Sequence, residues 1–222
     1  MNSKFNRLDS LPDNANKLPY PQPWEFVLEK YFVNQKDGFY VDVGAHNGIT
    51  YSNTAHFDLN LGWSGICIEP LEKTYKELVK SRNAIFYNTA LSEKEEEIEF
   101  YEIDGHAEML SGIKDNYDNK HIKRIKKEIR KFGGQLEIKK IKTEKLQNLL
   151  DINEITKIDY LSIDTEGSEL SVLKGINFEK TNIQVISCEN NFSDDSVKLF
   201  LKNKGFNFVE KVCADEIFFR ID

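Results

Sequence analysis

Phe39-Tyr-Val-Asp-Val-Gly-Ala-His-Asn-Gly48 is a short apolar strand that opens through two glycines into a stretch able to form a helix. A helix that begins after such a turn has unpaired backbone N–H groups at its start, with the positive end of the helix dipole behind them. Gly44 and Gly48 allow a tight turn and let a ligand approach the backbone. Gly65-Ile-Cys-Ile-Glu-Pro70 is a second strand that ends in a polar turn. Together they predict a parallel sheet with a ligand at its carboxyl edge.

Two acids accompany these turns. Glu69 ends the second strand 27 residues after Asp42, near the distance at which a doubly wound fold places the acid that binds a ribose. A dinucleotide site would need G-x-G-x-x-G. Here Asp42 precedes the two glycines, where it would repel a pyrophosphate but suit a cationic amine such as that of S-adenosylmethionine. The pattern therefore favours a ligand with a ribose and a cationic end, and a plain turn without a ligand is the alternative.

Four blocks of this sequence resemble a known family. Asp42-Val-Gly-Ala-His-Asn-Gly48, Ser52-Asn-Thr54, Gly62-Trp-x-Gly-Ile-Cys-Ile-Glu-Pro70 and Asp164-Thr-Glu-Gly-Ser-Glu169 are similar to the FkbM-type S-adenosylmethionine-dependent methyltransferases. The resemblance runs from about Phe39 to the C-terminus. It implies an α/β, Rossmann-like class I methyltransferase fold and methyl transfer to a hydroxyl, often on a sugar or polyketide. His46 stands where the general methyltransferase motif has glycine.

The bulk composition narrows the class of protein. With 222 residues, one domain is expected. A net charge of −7 argues against a nucleic-acid binder, and no apolar run approaches the ~18 residues of a membrane span. The first 17 residues are polar and lack the apolar centre of a signal peptide. Two of the three scattered cysteines fall in apolar strand patterns, which favours buried thiols and a cytoplasmic location.

The rest of the chain alternates strands and helices. Residues 1–23 are interpreted as an N-terminal arm and 24–222 as one domain, with an inserted segment at about 93–142. Strands are predicted at 39–43, 65–68, 84–88, 159–163 and 183–188, and helices at 24–32, 51–60, 71–81, 143–151, 168–174 and 194–204. Residues 206–212 and 216–221 predict a C-terminal antiparallel hairpin that completes a mostly parallel seven-stranded sheet. Within the insertion, 95–101 and 136–141 are expected to be extra strands.

The insertion also predicts a basic helix over 118–132. Its apolar residues form a narrow stripe, namely Ile122, Ile125, Ile129 and Phe132. Around the stripe are seven basic residues, namely Lys120, Lys123, Arg124, Lys126, Lys127, Arg130 and Lys131. One interpretation is a solvated face. The other is a cationic cover that binds an anionic acceptor, such as a sugar nucleotide, or makes peripheral contact with a membrane surface.

Candidate cofactor residues come from the turns after the first three strands. We expect Asp42 and the adjoining glycines to frame the methionine end of the cofactor, Glu69 the ribose, and the turn after the third strand the adenine. Ser52, Asn53 and Thr54 bind the methionine carboxylate or cap the next helix. The expected set is Asp42, Gly44, Ala45, His46, Gly48, Ser52, Asn53, Thr54, Glu69, Pro70, Asn88, Ala90 and Ser92.

Two later strands supply groups for chemistry. Asp164 ends one strand, and Glu189 and Asn190 end the next, so their oxygens can converge at one edge of the sheet. The spacing resembles that of magnesium-dependent catechol O-methyltransferases and suggests a Mg²⁺ site at these three residues. A metal-free role and capping of the helix near Ser168 are the alternatives. His46 is the histidine best placed to act as the base that removes the hydroxyl proton, and the alternative is that it only fills the turn.

Two other classes of function stay open. An NAD-linked oxidoreductase would use a related sheet, but the glycine pattern and Asp42 argue against it. A non-catalytic binding protein could retain the fold without the activity. Asp42, Glu69 and Asp164 are all present, which favours an enzyme.

Overall fold

The computed structural model describes residues 21–191 and 194–221. The predicted N-terminal arm therefore lies almost entirely outside the described residues. The first helix begins at Pro23, a residue that is preorganised for the first turn because its ring fixes φ and its missing N–H would have no partner there. In the part of the chain that the structure describes, no helix combines the length and apolarity needed to cross a bilayer.

A seven-stranded sheet forms the centre of the fold, as predicted. Its strands are β1 Phe39–Val43, β2 Ser64–Ile68, β3 Ile85–Tyr87, β8 Lys157–Ile163, β9 Asn182–Glu189, β10 Phe206–Val212 and β11 Asp215–Arg220. Their order in the sheet is β10-β11-β9-β8-β1-β2-β3, with β1, β2, β3, β8 and β9 parallel and β11 antiparallel to both neighbours. The strands between β3 and β8 belong to a second sheet.

Helices cover both faces of the main sheet. They are α1 Pro23–Tyr31, α2 Ala55–Leu59, α3 Glu72–Ser81, α5 Leu146–Ile152, α6 Glu169–Lys174 and α7 Ser196–Lys202. Alternation along β1 explains the two layers of core: Val41 and Val43 join one buried cluster, and Tyr40 joins the other. Asp42 shares the Tyr40 face, so this strand carries a buried carboxylate among aromatic side chains.

Residues 90–144, which contain the predicted inserted segment, form a smaller sheet and a separate apolar cluster. Strands β4 Ala90–Leu91, β5 Glu97–Ile103, β6 Gly112–Ile113 and β7 Leu136–Glu144 make a four-stranded sheet of order β4-β7-β5-β6. The predicted basic helix is α4 Asn119–Phe132, capped by the Asp118 carboxylate, which accepts hydrogen bonds from the N–H groups of Lys120 and His121. Ile125 packs in a cluster with Ile103, Ala107 and Leu110.

Several predicted boundaries were wrong. The helix expected at 51–60 begins only at Ala55, because Tyr51 has a left-handed φ of 56° and the residues up to Thr54 form a loop. The helix expected at 143–151 begins at Leu146, because β7 continues to Glu144. The short strands β4 and β6 were not predicted. Nor were the 3-10 helices Gly105–Leu110 and Lys114–Asn116.

Candidate active site

The four central strand ends are level with one another. Val43 lies opposite both Ile68 and Ile163, and Ile163 lies opposite Cys188. The next residue of each strand therefore reaches the same carboxyl edge of the sheet. These residues are Gly44, Glu69, Asp164 and Glu189, three of them acids that the sequence singled out.

A cleft of about 710 Å³, counting its open mouth, lies at this edge. Its lining includes Glu69, Pro70, Leu71 and Ala90, which follow β2 and β3. A second hollow of about 320 Å³ is lined by Asp42, Ala45, Ser52, Asn53, Ser162 and others. Gly44, His46, Met109 and Asp164 line both. The cavity therefore has two neighbouring parts, one on each side of the turn after β1.

Glu69 is held in place from two sides. One carboxylate oxygen accepts the His46 N–H at 2.8 Å, and the other accepts the Leu71 N–H at 2.8 Å. Burial raises the pKa of Glu69 to about 7, and the two backbone hydrogen bonds oppose that rise. Each oxygen keeps further lone pairs, so the fixed carboxylate can still accept hydrogen bonds from a ligand in the cleft.

Asp42 belongs to a buried charged network. Its Oδ2 accepts a hydrogen bond of 2.5 Å from Thr54 Oγ1 and lies 3.8 Å from Arg82 Nη1. Arg82 is fully buried and also pairs with Asp58 at 2.7 Å. Burial raises the pKa of Asp42, and the Arg82 guanidinium opposes that shift. A buried charge needs several hydrogen-bond and ion-pair partners to offset its loss of hydration. The partners of Asp42 in this network therefore hold its carboxylate in one position.

The turns around the cleft are conformationally demanding. Gly44 has φ +85°, and a Cβ built on it would lie 1.7 Å from the Asp164 carbonyl oxygen. His46, Tyr51 and Glu166 are non-glycine residues with left-handed φ of 49°, 56° and 54°, and all three line the cavity. Such residues persist where the surrounding contacts fix them, and they are concentrated at ligand sites.

Three carboxylates meet between the ends of β8 and β9. One oxygen each of Asp164, Glu166 and Glu189 lies within 4.8 Å of the others. Burial raises the pKa of all three, and repulsion between the carboxylates adds to that rise. The buried Glu189 Oε2 has no hydrogen-bond partner among the described residues. A cation at this position would relieve the repulsion, and one protonated member would do so in part.

Capping of α6 does not explain these acids. The N–H groups of Thr165 and Gly167 donate to Glu169 Oε1, at 3.0 and 2.9 Å. Glu169 therefore accepts the hydrogen bonds of the backbone N–H groups in this turn. The side chains of Asp164 and Glu166 are directed to the cleft and to the carboxylate cluster instead.

The inserted segment covers the cleft through polar contacts. Glu108 lies 3.5 Å from His46 Nε2 and accepts a hydrogen bond of 2.8 Å from Lys73. His121 Nε2 at the start of α4 lies 3.4 Å from Glu166 Oε2. Asn116 donates to Ser168 Oγ at 2.7 Å. The insertion thus spans the two acidic turns and forms part of the cleft wall.

Three other predicted residues, Asn88, Ser92 and Asn190, use their polar side-chain atoms in hydrogen bonds within the protein. Asn88 donates to the carbonyl oxygens of Glu69 and Pro70, and Ser92 pairs with Ser171. The Asn190 amide donates to the Asp194 carbonyl and to Glu216. In the carboxylate cluster, the third member is Glu166 rather than Asn190.

Residues of the loop before α2, and His56 within α2, make contacts that stabilise the fold around the site. Asn53 donates to Asp215, and Ser52 Oγ accepts the Ala55 N–H, so Ser52 is the residue that caps this turn. Gly48 packs against α3, where a Cβ would meet Leu78. His56 stacks on Trp24 with ring centroids 4.6 Å apart and therefore has a packing role.

Sequence reasoning missed Arg82, Glu108 and the membership of Glu166 in the carboxylate cluster. Arg82 follows α3, far from the motifs, and no local pattern marks it. Glu166 stands in the quoted Asp164–Glu169 block, two residues after Asp164, so that block was the available signal. The contacts of Glu108 and His121 depend on how the insertion folds back over the sheet.

Family comparison agrees with this geometry. The family model described as the methyltransferase FkbM domain matches residues 42–208, which include all four strand ends at the cleft. The chain belongs to the FkbM methyltransferase family. The sheet order and antiparallel β11 are those of the Rossmann-like class I methyltransferase fold, as the resemblance implied.

Solved structures similar to this FkbM family member share little sequence with it. Methyltransferase FkbM from Methylobacillus flagellatus KT is 14% identical with a TM-score of 0.47, and the match covers 85% of this chain and 46% of that chain. The N-terminal domain of human METTL16 is 13% identical with a TM-score of 0.45, covering 91% and 71%. M. capricolum TrmK in complex with S-adenosyl-homocysteine is 12% identical with a TM-score of 0.40, covering 86% and 66%. The chain thus spans less than half of the Methylobacillus protein. None of the curated proteins matches it.

Proposed function

We propose that this FkbM family member binds S-adenosylmethionine and transfers its methyl group to a hydroxyl, in a sugar or glycan precursor. The observation that carries the proposal is the two-part cavity. Glu69 lines one part, where it suits a ribose, and Asp42 lines the other, where it suits a cationic amino group. Gly44 lines both parts, so a cofactor that occupied both would pass over this turn, with its sulfonium between the two acids.

The acid cluster supports a hydroxyl acceptor. Methyl transfer from a sulfonium is an in-line displacement in which the attacking oxygen must lose its proton. Asp164, Glu166 and Glu189 lie at the strand ends beside the shared part of the cavity. An ionised carboxylate of raised pKa is a better base than an ordinary one, which suits it to accept that proton. His46, also in the cleft wall, is the second candidate base.

A divalent cation, with Mg²⁺ as the expected metal, is part of this proposal. The three carboxylate oxygens fit a hard cation, which prefers oxygen ligands and would balance their mutual repulsion. A metal held there would supply Lewis-acid stabilisation of the alkoxide. The donor set that we propose is Asp164, Glu166 and Glu189, with Glu166 in place of the predicted Asn190. The described cysteines are all free thiols, which supports the expected cytoplasmic location.

The proposal is tested by incubating the full chain with S-adenosylmethionine labelled in its methyl group and a panel of acceptors. The panel contains free sugars, sugar phosphates, sugar nucleotides and, as the nucleic-acid alternative, an RNA oligonucleotide. Transfer to a hydroxyl of one of the sugars is expected, and EDTA should abolish it if the metal takes part. Binding of the cofactor with transfer only to RNA would contradict the proposed acceptor. Binding without any transfer would favour the non-catalytic alternative.

A further inference from the structure

Cations of the inserted segment differ in whether they form ion pairs. Lys114, and Lys139 and Lys140 of β7, each form one, with Glu99, Glu102 and Glu97 respectively. On α4, seven cations are exposed, namely Lys120, Lys123, Arg124, Lys126, Lys127, Arg130 and Lys131. Within the described parts of the chain, none of these seven has a carboxylate oxygen within 4 Å. The protein as a whole carries a charge of −7, so this local excess of positive charge is unbalanced.

Part of this excess lies near the carboxylate cluster. His121 faces Glu166 across 3.4 Å, and Arg124 is one turn further along the same side of the helix. The positive charge of Arg124 lowers the pKa of Glu166, which burial raises. Lys120, Arg124, Lys127 and Lys131 follow one another at spacings of three and four residues and therefore form a ridge. This basic ridge is about 16 Å long, at 1.5 Å per residue.

The floor of the cleft and the basic ridge beside Glu166 differ in charge. The floor holds the carboxylates of Asp164, Glu166 and Glu189, which would repel an anionic group. An uncharged hydroxyl can enter between these carboxylates, whereas a phosphate would be repelled by their negative charge. The basic ridge offers four cations that have no ion-pair partner among the described residues, one of them an arginine able to bind phosphate through two N–H groups.

We propose that the basic ridge binds the phosphate groups of a phosphorylated sugar acceptor, while the uncharged sugar end enters the cleft. This inference rests on the proposed methyl transfer to a sugar hydroxyl and deepens it by naming the acceptor as a bipolar molecule. A phosphate or diphosphate lies on α4, and a polyol reaches the acid cluster. The apolar stripe of α4 packs on the insertion through Ile125, so the ridge has a fixed position relative to the cleft.

The test uses the full chain loaded with S-adenosylhomocysteine, and calorimetry with glucose, glucose 1-phosphate and UDP-glucose as probes. The variant Arg124→Gln/Lys127→Gln removes the centre of the ridge. The matched control Lys174→Gln/Lys202→Gln removes two exposed lysines of α6 and α7, with the same change in charge. We expect both phosphorylated probes to bind the wild type, with affinity lowered on the order of tenfold in the ridge variant and less than twofold in the control.

Equal affinity of the phosphorylated probes for the ridge variant and the control would overturn the inference. So would failure of the wild type to bind either phosphorylated probe. Vesicles of phosphatidylglycerol and a single-stranded RNA oligonucleotide serve as the other anionic partners. Loss of binding to one of these in the ridge variant, with sugar phosphates unaffected, would also overturn it. Binding of S-adenosylhomocysteine is measured separately on all three proteins. Its absence would refute the proposed function. Equal binding would show that a change in affinity for the phosphorylated probes comes from the ridge and not from the cofactor site.

Discussion

Glu69 accepts a hydrogen bond of 2.8 Å from the backbone N–H of His46. This contact joins the ends of β1 and β2 and orients the carboxylate toward the cleft. It requires His46 to adopt a left-handed φ of 49°, a conformation that costs a non-glycine residue about 1–2 kcal/mol. The general methyltransferase motif has glycine at this position, so the histidine accepts backbone strain and adds a ring nitrogen 3.5 Å from Glu108.

Glu69→Gln should weaken binding of S-adenosylhomocysteine about 10- to 100-fold. The amide keeps one acceptor oxygen, so it cannot satisfy both backbone N–H groups and two ribose hydroxyls as a carboxylate does. Calorimetry on the folded variant measures the change. Glu72→Gln is the matched control, because Glu72 is an exposed acid of α3 that pairs with Lys76. An affinity within twofold of wild type for Glu69→Gln would contradict the ribose role.

Gly44→Ala should destabilise the protein far more than Gly62→Ala. Both glycines have left-handed φ, but a Cβ at Gly44 would overlap the Asp164 carbonyl oxygen, whereas no atom lies within 4 Å of one at Gly62. Gly62→Ala should cost about 1–2 kcal/mol from φ alone, and Gly44→Ala should exceed that cost by several kcal/mol or prevent folding. Urea unfolding compares them. Equal losses would mean that the close approach of the two turns is unimportant.

Asp215→Asn should change how stability depends on pH. Burial raises the pKa of Asp215 to about 8, and the Asp164 carboxylate adds to the effect. An unfolded aspartate has a pKa of about 3.9. Between these values the folded state retains a proton that the unfolded state has lost, so the free energy of unfolding falls as pH rises from about 4 to 8.

The asparagine variant removes this contribution, yet it can still accept the hydrogen bond from Asn53. Its stability should therefore fall less steeply with pH than that of the wild type, by up to about 1.4 kcal/mol per pH unit. Urea unfolding at pH 5, 6, 7 and 8 measures the slopes, with the exposed Asp37→Asn as the matched control. Parallel curves for the wild type and Asp215→Asn would disprove the buried protonated carboxyl.

Glu189→Gln should lower turnover about 100-fold or more while leaving the affinity for S-adenosylhomocysteine within a few-fold. The substitution removes one carboxylate from the cluster that we assign to the acceptor and to the metal, but it leaves Asp42 and Glu69 intact. Single-turnover rates and calorimetry separate the two effects. Glu179→Gln, at an exposed position, provides the control. Unchanged turnover would exclude Glu189 from the chemistry.

The sequence predicted the main sheet well because its strands are buried on both faces. Val41, Val43, Leu161 and Ile163 stand in short apolar runs that end at chemically distinctive residues. Apolar residues recur every two residues in a strand and every three to four residues in a helix. These spacings are local properties of the sequence, so they can be recognised without knowing the fold. The boundaries of the helices and strands were predicted less well. At Tyr51, for example, a left-handed φ continues the loop, and the helix begins only at Ala55.

The site was only partly predictable because much of it is made by distant contacts. Arg82 is 40 residues from Asp42 along the chain, and only the packing of α3 brings them within 3.8 Å. His121 and Glu108 reach the cleft because the insertion folds over it. Asn190 follows Glu189 as expected, yet the hairpin residue Glu216 accepts a hydrogen bond from its amide, a partner that no local pattern specifies.

Calorimetric titration of the wild-type protein with S-adenosylhomocysteine, beside an identical titration with NAD⁺, tests the central claim most directly. The account predicts saturable binding of S-adenosylhomocysteine at one site per chain, weakened by Glu69→Gln, and no binding of NAD⁺. Absence of heat with S-adenosylhomocysteine, or saturable binding of NAD⁺ in its place, would contradict it.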